Sequence, residues 1–108
     1  MKESEIKVVI KKPGDKMQIT TINNTLENFQ HIVDGYIECI RPLKNKKIVA
    51  VLNDFGKYLD FEPNFVYAGT DVVVGNVIFT KSTVAGEFIS LTEQDIKQIE
   101  RFLEREAC

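Results

Sequence analysis

The chain offers few side chains for catalysis, because it contains a single histidine and two cysteines. A histidine serves as a general base or as a metal ligand when suitable partners surround it. No set of Cys, Asp or Glu residues stands at metal-ligand spacing around His31. The residue also lies off the apolar stripe of Leu26, Phe29 and Val33. We therefore expect His31 to be exposed and dispensable for function.

The two cysteines give no stronger indication of chemistry. Cys39 alternates with Ile37 on one face of a predicted strand, a pattern typical of a buried thiol that packs as a small hydrophobe. A nucleophilic role would need a base, and the lone histidine would have to supply it. Cys108 is the last residue of the sequence and is interpreted as incidental. We predict no catalytic residue, no metal site and no cofactor, and hence a protein that is not an enzyme.

Asparagines recur in the predicted turns of the chain. Asn53, Asp54 and Asn64 stand at such positions, where asparagine side chains commonly stabilise the backbone. This structural role is the interpretation that the pattern favours. The functional alternative is a polar pocket formed by Asn53, Asn64 and Asn76.

Basic residues cluster in one short segment, where Arg41 is followed closely by Lys44, Lys46 and Lys47. A solvated loop is the default interpretation of such a run. The functional alternative is contact with a phosphate or with an acidic partner. If the protein binds a nucleotide-like ligand, its pocket would draw on four basic and polar residues, with aromatic rings as stacking platforms. Those four ligand-binding candidates are Arg41, Lys47, Asn53 and Asn64.

Five aromatic residues crowd the middle of the chain around a proline and a glycine. They are Phe55, Tyr58, Phe61, Phe65 and Tyr67. Some must belong to the core, but five rings are more than a small loop needs to anchor itself. Tyr and Phe are enriched in the cores of protein interfaces. We therefore predict that an exposed subset of these five residues binds a partner protein.

Composition and charge exclude several classes of protein. The length of 108 residues predicts one domain over residues 1–108. Hydrophobic residues make up 44% and the net charge is -2, so the chain is neither a basic nucleic-acid binder nor an acidic DNA mimic. It contains no apolar run long enough to span a membrane. Charges interrupt the apolar residues of the N-terminal MKESEIKVVIKK, which argues against a signal peptide and favours the cytoplasm.

Alternating or continuous apolar runs predict six strands. They are Glu5–Lys11 and residues 17–22, 36–43, 48–52, 72–80 and 87–89. The first two flank a Pro-Gly-Asp turn and predict a hairpin. Residues 48–52 are apolar on both faces, which predicts a central strand covered on both sides. Residues 58–67 are aromatic-rich but interrupted by Pro-Asn, so we expect irregular structure there, and Gly75 predicts a bulge inside the long strand.

Two helices are predicted from their caps and their apolar stripes. Asn24 is expected to cap the first, with Glu27 completing a capping box and Gly35 as the left-handed residue at its end. Thr92 and Asp95 cap the second. Its buried stripe consists of Ile96, Ile99, Phe102 and Leu103. Together the elements predict an α+β fold, in which a mostly antiparallel sheet of five to six strands carries two helices on one face.

Several segments occur in a recognisable order along most of the chain. They are NTLENFQHIVDGYIECI, VLNDFGK, FEPNF, DVVVGNVIF and GEFISLTEQDI. In these segments the chain resembles a family of small bacterial and phage proteins, the domain of unknown function numbered three-eight-four-six. The family is common in low-GC Gram-positive bacteria, their plasmids and their phages, so the resemblance implies an accessory role on a mobile element. The family has no catalytic motif that carries over to this chain.

The residues and the resemblance together favour a small non-enzymatic binding protein of a phage or mobile element. It would dock on a host protein, such as a component of a defence system. The alternative is a protein that binds or sequesters a small, nucleotide-like molecule. We expect no membrane partner and no direct contact with nucleic acid, and a homodimer is left open.

Overall fold

A six-stranded sheet, a two-stranded ribbon and two helices make up the fold. The computed structural model describes residues 4–108. In chain order the elements are β1 (Glu5–Lys11), β2 (Gln18–Asn23), α1 (Leu26–Val33), β3 (Ile37–Ile40), β4 (Ile48–Asn53), β5 (Pro63–Tyr67), β6 (Asp71–Val74), β7 (Val77–Ser82), β8 (Phe88–Ile89) and α2 (Glu93–Glu106).

The large sheet has the strand order β2-β1-β7-β4-β3, and β8 pairs with the end of β7. Every pairing in it is antiparallel. The predicted hairpin is confirmed, because β1 pairs with β2 from Glu5 opposite Asn23 to Ile10 opposite Gln18. The prediction of an α+β fold with a mostly antiparallel sheet is confirmed as well.

The two helices cover opposite faces of the sheet, so the expectation that both lie on one face is wrong. α1 packs its buried Phe29 and Val33 against one face. α2 packs Ile99 and Phe102 against the other face. The core is therefore divided by the sheet into two layers.

The reason for this two-sided arrangement lies in the interior strands. All six residues of β4 are buried, as the prediction of a strand covered on both sides required. Successive side chains of a strand point to opposite faces. Val49 and Val51 accordingly join the layer under α1, whereas Ala50 and Leu52 join the layer under α2. Because a strand that is apolar on both faces needs cover on both, one helix per face is the arrangement that buries it.

The ends of α1 differ from the predicted caps. Thr25, not Asn24, is the N-cap, and its hydroxyl accepts a hydrogen bond from the Asn28 backbone N–H at 3.2 Å. Asn24 is buried instead, and its Nδ2 donates to the Phe88 carbonyl at 3.1 Å. At the other end, Asp34 rather than Gly35 takes the left-handed conformation, with φ of 64°. Asparagine and aspartate adopt this conformation more readily than other non-glycine residues.

The segment predicted as one long strand at residues 72–80 is two strands in different sheets. β6 pairs with β5 in the two-stranded ribbon, whereas β7 lies in the large sheet. Between them Gly75 has φ of 79°, which turns the chain out of one sheet into the other. The Phe61 ring covers this turn so closely that a Cβ on Gly75 would lie 2.7 Å from Phe61 Cδ2. The prediction of irregular structure at residues 58–67 is also wrong in part, because β5 occupies its second half.

The capping box of α2 is present as predicted. The Asp95 backbone N–H donates to the Thr92 hydroxyl at 3.2 Å, and the Thr92 backbone N–H donates to Asp95 Oδ2 at 2.8 Å. The Lys81 ammonium lies 3.2 Å from Asp95 Oδ2, which joins this cap to β7. Ile99 is fully buried and Phe102 nearly so, in agreement with the predicted apolar stripe.

Candidate functional site

Two asparagines of the polar pocket weighed above cap the end of α1. Asn53 Nδ2 donates to the carbonyls of Val33 at 3.0 Å and of Asp34 at 3.1 Å. Asn76 Nδ2 donates to the Ile32 carbonyl at 3.1 Å. The last carbonyl groups of a helix have no partner within the helix, so side chains must satisfy them when they are buried. These two amides are therefore engaged with the backbone rather than facing a shared cavity.

Asn64 has a similar backbone-holding role elsewhere in the fold. It is fully buried, and its Nδ2 donates to the carbonyls of Lys11 and Gly75, each at 2.8 Å. These hydrogen bonds join β5 to the end of β1 and to the turn between β6 and β7. The side-chain oxygen of Asn64 is buried, and no hydrogen-bond partner for it lies among residues 4–108.

The four candidates for nucleotide-like binding do not come together. Arg41 and Lys47 line one groove at the end of β3 and the start of β4. Asn53 lies at the opposite end of the same hairpin, where it pairs with Ile37. Asn64 is a fully buried residue of β5. A single ligand pocket made from Arg41, Lys47, Asn53 and Asn64 is thus not formed by this fold.

The single histidine and the cysteines lie on the surface. His31 is exposed, as expected. The prediction that Cys39 is buried is wrong, because β3 is an edge strand and the residue is exposed. Partial desolvation by its neighbours raises the pKa of the Cys39 thiol. Cys108 is exposed too, and within residues 4–108 no group of three His, Cys, Asp or Glu side chains is placed to hold a metal ion.

The five aromatic candidates for partner binding separate into three kinds. Phe65 is 0% exposed and belongs to the core, where its ring centroid lies 5.3 Å from that of Phe102. It cannot contact a partner, so the prediction that Phe65 belongs to a partner-binding surface is wrong. Phe61 is half-buried over Gly75, and Tyr67 is half-buried against the α2 layer of the core. Phe55 and Tyr58 remain exposed.

Phe55 and Tyr58 belong to a larger exposed surface, formed by the turn after β4 and the residue that precedes β3. Phe55 is 50% exposed and Tyr58 87%, and their ring centroids lie 6.4 Å apart. Leu59 of the same turn is 53% exposed and Tyr36 is 71% exposed. The Asp54 backbone N–H donates to the Tyr36 carbonyl at 2.9 Å, which joins the two segments. We call these four residues, Tyr36, Phe55, Tyr58 and Leu59, the aromatic corner.

Tyr36 and Leu59 were not among the residues predicted from the sequence to bind a partner. Tyr36 was assigned to a strand that starts one residue later, at Ile37. Leu59 was overlooked because it is aliphatic and stands between aromatic residues. Tyr36 and Leu59 stand next to turn residues, around positions 34–35 and 53–57. Apolar side chains in such turns do not belong to a strand or helix face that packs on the core, and this pattern could have predicted their exposure.

The turn that carries the aromatic corner is held by its own backbone and by Asn53. Asn53 Oδ1 accepts a hydrogen bond from the Phe55 backbone N–H at 2.7 Å. The backbone N–H groups of Tyr58 and Leu59 donate to the Phe55 carbonyl at 3.0 Å and 3.2 Å. Gly56 lies against the ribbon, and a Cβ there would stand 3.0 Å from a methyl group of Val74. The exposed rings are thus presented on a fixed turn.

A cleft of about 270 Å³ runs beside the aromatic corner, between the β3–β4 hairpin and the ribbon. Its lining includes the apolar Ile40 and Leu52 and the charged Glu38, Asp54 and Lys57. Partial burial raises the pKa of the Glu38 carboxyl, and a hydrogen bond with the Asp54 carboxyl and its negative charge act in the same direction. The cleft therefore combines an apolar wall with two adjacent carboxyl groups.

The fold and its surfaces define a small α+β domain. The family model for the domain of unknown function (DUF3846) matches residues 6–104. The chain belongs to this family, as the order of its sequence segments indicated. No curated protein and no solved structure matches the chain significantly. Within residues 4–108, neither helix combines the length and the apolar composition that a membrane span requires.

Proposed function

We propose that the protein is a non-enzymatic binding protein, encoded by a phage or mobile element, whose aromatic corner docks on a host protein in the cytoplasm. The observation that carries this proposal is the exposure of four large apolar side chains on two chain segments that a backbone hydrogen bond joins. The rings of Phe55 and Tyr58 lie side by side on a turn that hydrogen bonds hold in place. Clustered exposed apolar residues mark interaction sites in folded proteins. The mobile-element context of the family favours a host target, such as a component of a defence system.

The chemistry of the neighbouring cleft narrows the kind of partner surface. Glu38 and Asp54 place carboxyl groups directly beside the corner, and Leu52 adds an apolar wall. A partner that presents apolar side chains flanked by lysine or arginine would match both features. A fixed turn loses little conformational freedom on binding, so more of the contact energy would appear as affinity.

The test uses a photo-crosslinking amino acid in place of Tyr58, with the same group in place of Ile19 as a control. Both side chains are exposed, but Ile19 lies on β2, outside the aromatic corner. We expect one host protein to crosslink at position 58 and not at position 19. The purified host protein should then bind Tyr58→Ala about 30-fold more weakly than the wild type, which corresponds to roughly 2 kcal/mol, as at other interface hot spots.

Two results would overturn this proposal. In the first, Tyr58→Ala and Phe55→Ala bind the crosslinked protein as tightly as the wild type does. In the second, Ile19→Ala weakens binding as much as Tyr58→Ala. The four candidate residues for a nucleotide-like ligand are dispersed, so the fold forms no single pocket from all of them. Native mass spectrometry of protein purified from its host would reveal such a ligand as an added mass.

A further inference from the structure

Basic side chains are concentrated on one surface, at the end of the β3–β4 hairpin opposite the aromatic corner. Two adjoining grooves there share Lys44 and Asn45 in their walls. Among residues 4–108, seven of the chain's 14 lysines and arginines line these grooves, together with one of its 16 acidic residues, Glu106. The seven are Arg41, Lys44, Lys46, Lys47, Lys81, Arg101 and Arg105. We call this surface the basic grooves.

The basic grooves bring together three segments that lie far apart in the sequence. The loop at residues 41–47 supplies four of the basic side chains, and β7 supplies Lys81. α2 supplies Arg101 and Arg105, which stand four residues apart and therefore share one face of the helix. From the sequence only the cluster in the loop was visible.

Hydrogen bonds hold the loop in a fixed shape. The Arg41 guanidinium donates to the Lys46 carbonyl, and Lys46 Nζ donates back to the Arg41 carbonyl at 3.1 Å. Asn45 Oδ1 accepts from the Lys47 backbone N–H at 3.1 Å, and Asn45 Nδ2 donates to Gln98 Oε1 of α2 at 3.0 Å. The loop is thus tied to itself and to α2, so its ammonium groups start from a preorganised backbone.

Most of the positive charge in the basic grooves has no carboxylate partner within the described part of the chain. Of the two ion pairs among residues 4–108, one involves a groove residue, Lys81, whose Nζ lies 3.2 Å from Asp95 Oδ2. The other six basic residues form no ion pair there. An anionic partner would therefore meet charge that only solvent and salt screen.

The grooves also have apolar walls. The groove beside α2, about 540 Å³ in volume, includes Leu43, Val66 and Phe102 in its lining. The groove beside the β7–β8 turn, about 870 Å³ in volume, includes Val84 and Ile89. Apolar lining of this kind has no complement on a phosphate backbone. It matches apolar side chains of a polypeptide.

Two further observations favour a polypeptide over nucleic acid. Single-stranded nucleic acid is bound by exposed aromatic rings on which bases stack. Phe102 is the aromatic residue that lines the grooves, and it is 6% exposed. The net charge of the whole chain is -2 despite the basic grooves, so the remaining surface repels a long polyanion.

We propose that the basic grooves bind an acidic polypeptide segment of another protein, in which carboxylates alternate with apolar side chains. The carboxylates would pair with the lysines and with the guanidinium groups of Arg101 and Arg105, which can bind a carboxylate through two parallel hydrogen bonds. The apolar side chains would lie against the apolar walls. This surface is separate from the aromatic corner, so the inference does not rest on the docking function proposed above.

The test measures the fluorescence anisotropy of a labelled peptide in which glutamate and leucine residues alternate. A matched peptide keeps the glutamates and replaces the leucines by serine, and a labelled DNA duplex serves as the nucleic-acid probe. We expect the glutamate–leucine peptide to bind at least about 10-fold more tightly than either of the other probes. Binding should weaken as salt is added.

The matched variants carry the same change of charge at two places. Lys44→Glu with Arg101→Glu reverses two groove charges and should weaken peptide binding about 100-fold. Lys12→Glu with Lys16→Glu reverses two exposed charges near the β1–β2 turn and should leave it unchanged. The proposal is overturned if no peptide binds, if the duplex binds more tightly than the glutamate–leucine peptide, or if the groove variant binds as well as the control. Circular dichroism of both variants confirms that each is folded before binding is compared.

Discussion

At the scale of single residues, Asn53 joins three parts of the protein through one side chain. Its Nδ2 satisfies two carbonyls at the end of α1, and its Oδ1 accepts from the backbone of the turn that carries the aromatic corner. It also approaches Gly35 so closely that a Cβ there would lie 2.7 Å from Asn53 Nδ2. Gly35 also has φ of 156°, which residues with a side chain rarely adopt, so both its conformation and this contact favour glycine.

The first prediction concerns Asn53→Ala. The substitution leaves two carbonyl groups and one N–H group without their partner, and it should lower the free energy of unfolding by about 2–4 kcal/mol. Asn23→Ala is the matched control, since Asn23 is exposed at the end of β2, and it should change stability by less than about 0.5 kcal/mol. Urea denaturation measures both. Equal unfolding midpoints for the two variants would refute the role of Asn53.

Asp95 is the second residue whose environment has a measurable consequence. Burial by itself would raise the pKa of its carboxyl, but the hydrogen bonds from Thr92 and the contact with the Lys81 ammonium outweigh burial and lower the pKa below its ordinary value of 3.8. A carboxyl whose pKa is lower in the folded state stabilises the protein when it is ionised. That stabilisation is complete above the unfolded-state pKa and is lost as the pH falls through the folded-state pKa.

The second prediction follows from this sign. Asp95→Asn should be less stable than the wild type at neutral pH, because the amide cannot replace the ionised carboxylate opposite Lys81. The difference in unfolding free energy should begin to shrink as the pH falls below about 4, and it should be smallest once the wild-type carboxyl is protonated. Thermal unfolding followed across this range measures the difference. A gap that stays constant with pH would show that the ionised carboxylate is not what stabilises the cap.

At the scale of secondary-structure elements, local signals predicted most of the fold. The β1–β2 turn, the apolar run at residues 48–52 of β4 and the capping box of α2 each depend on a few adjacent residues, and the structure agrees with all three. What depends on distant contacts was not predictable in this way. The opposite placement of the helices follows from which strands become interior, and the break at Gly75 separates two strands that pair in different sheets.

The candidate site shows the same division at the level of residues. Phe55 and Tyr58 were predicted as members of a larger aromatic set, but the pattern of types could not separate them from the buried Phe65. Phe65 lies on β5 and packs in the core, whereas Phe55 and Tyr58 lie in the turn after β4. For the basic grooves, the sequence indicated only the basic residues of the loop at residues 41–47. α2 adds Arg101 and Arg105 through tertiary packing against this loop.

The third prediction concerns the turn between β6 and β7. Gly75 and Gly14 have nearly the same left-handed φ, 79° and 76°, but a Cβ would meet the Phe61 ring at Gly75 and nothing within 4 Å at Gly14. Gly14→Ala should therefore cost only the backbone strain, about 1–2 kcal/mol. Gly75→Ala should cost that strain and about 1–3 kcal/mol more from overpacking. Chemical denaturation measures the unfolding free energy of both variants. Equal losses of stability would mean that the Phe61 ring moves aside without a measurable energetic cost.

At the scale of the whole molecule, the two proposed surfaces lie at opposite ends of the β3–β4 hairpin. β4 has six residues, so its ends are separated by about 17 Å at the usual rise per residue of a strand. Carboxyl groups accompany the aromatic corner, whereas basic side chains line the other end. Carboxyl groups therefore lie near one end of this hairpin and basic groups near the other, although the net charge of the chain is only -2.

The fourth prediction is that the two ends act independently. Substitutions this far apart, without shared contacts, usually have additive effects within about 0.5 kcal/mol. Tyr58→Ala should leave the affinity for the glutamate–leucine peptide unchanged, and Lys44→Glu with Arg101→Glu should leave the affinity of the aromatic corner for its host protein unchanged. Affinities of the combined variant for both probes complete the comparison. A coupling energy well above about 0.5 kcal/mol would indicate that a change at one surface alters binding at the other through the sheet.

The hydrogen bond between Asn53 and Phe55 has a consequence for the timescale on which the corner opens. The Phe55 N–H lies on an exposed turn, where amide protons normally exchange with solvent rapidly, but it donates to a side chain that is anchored at the end of α1. Its exchange with deuterium should therefore be slow and should follow the opening of the last turn of α1 rather than local fluctuation of the loop. Hydrogen-exchange NMR can compare this amide with that of Val33. The lifetime of the closed aromatic corner would then be set by the stability of the end of α1.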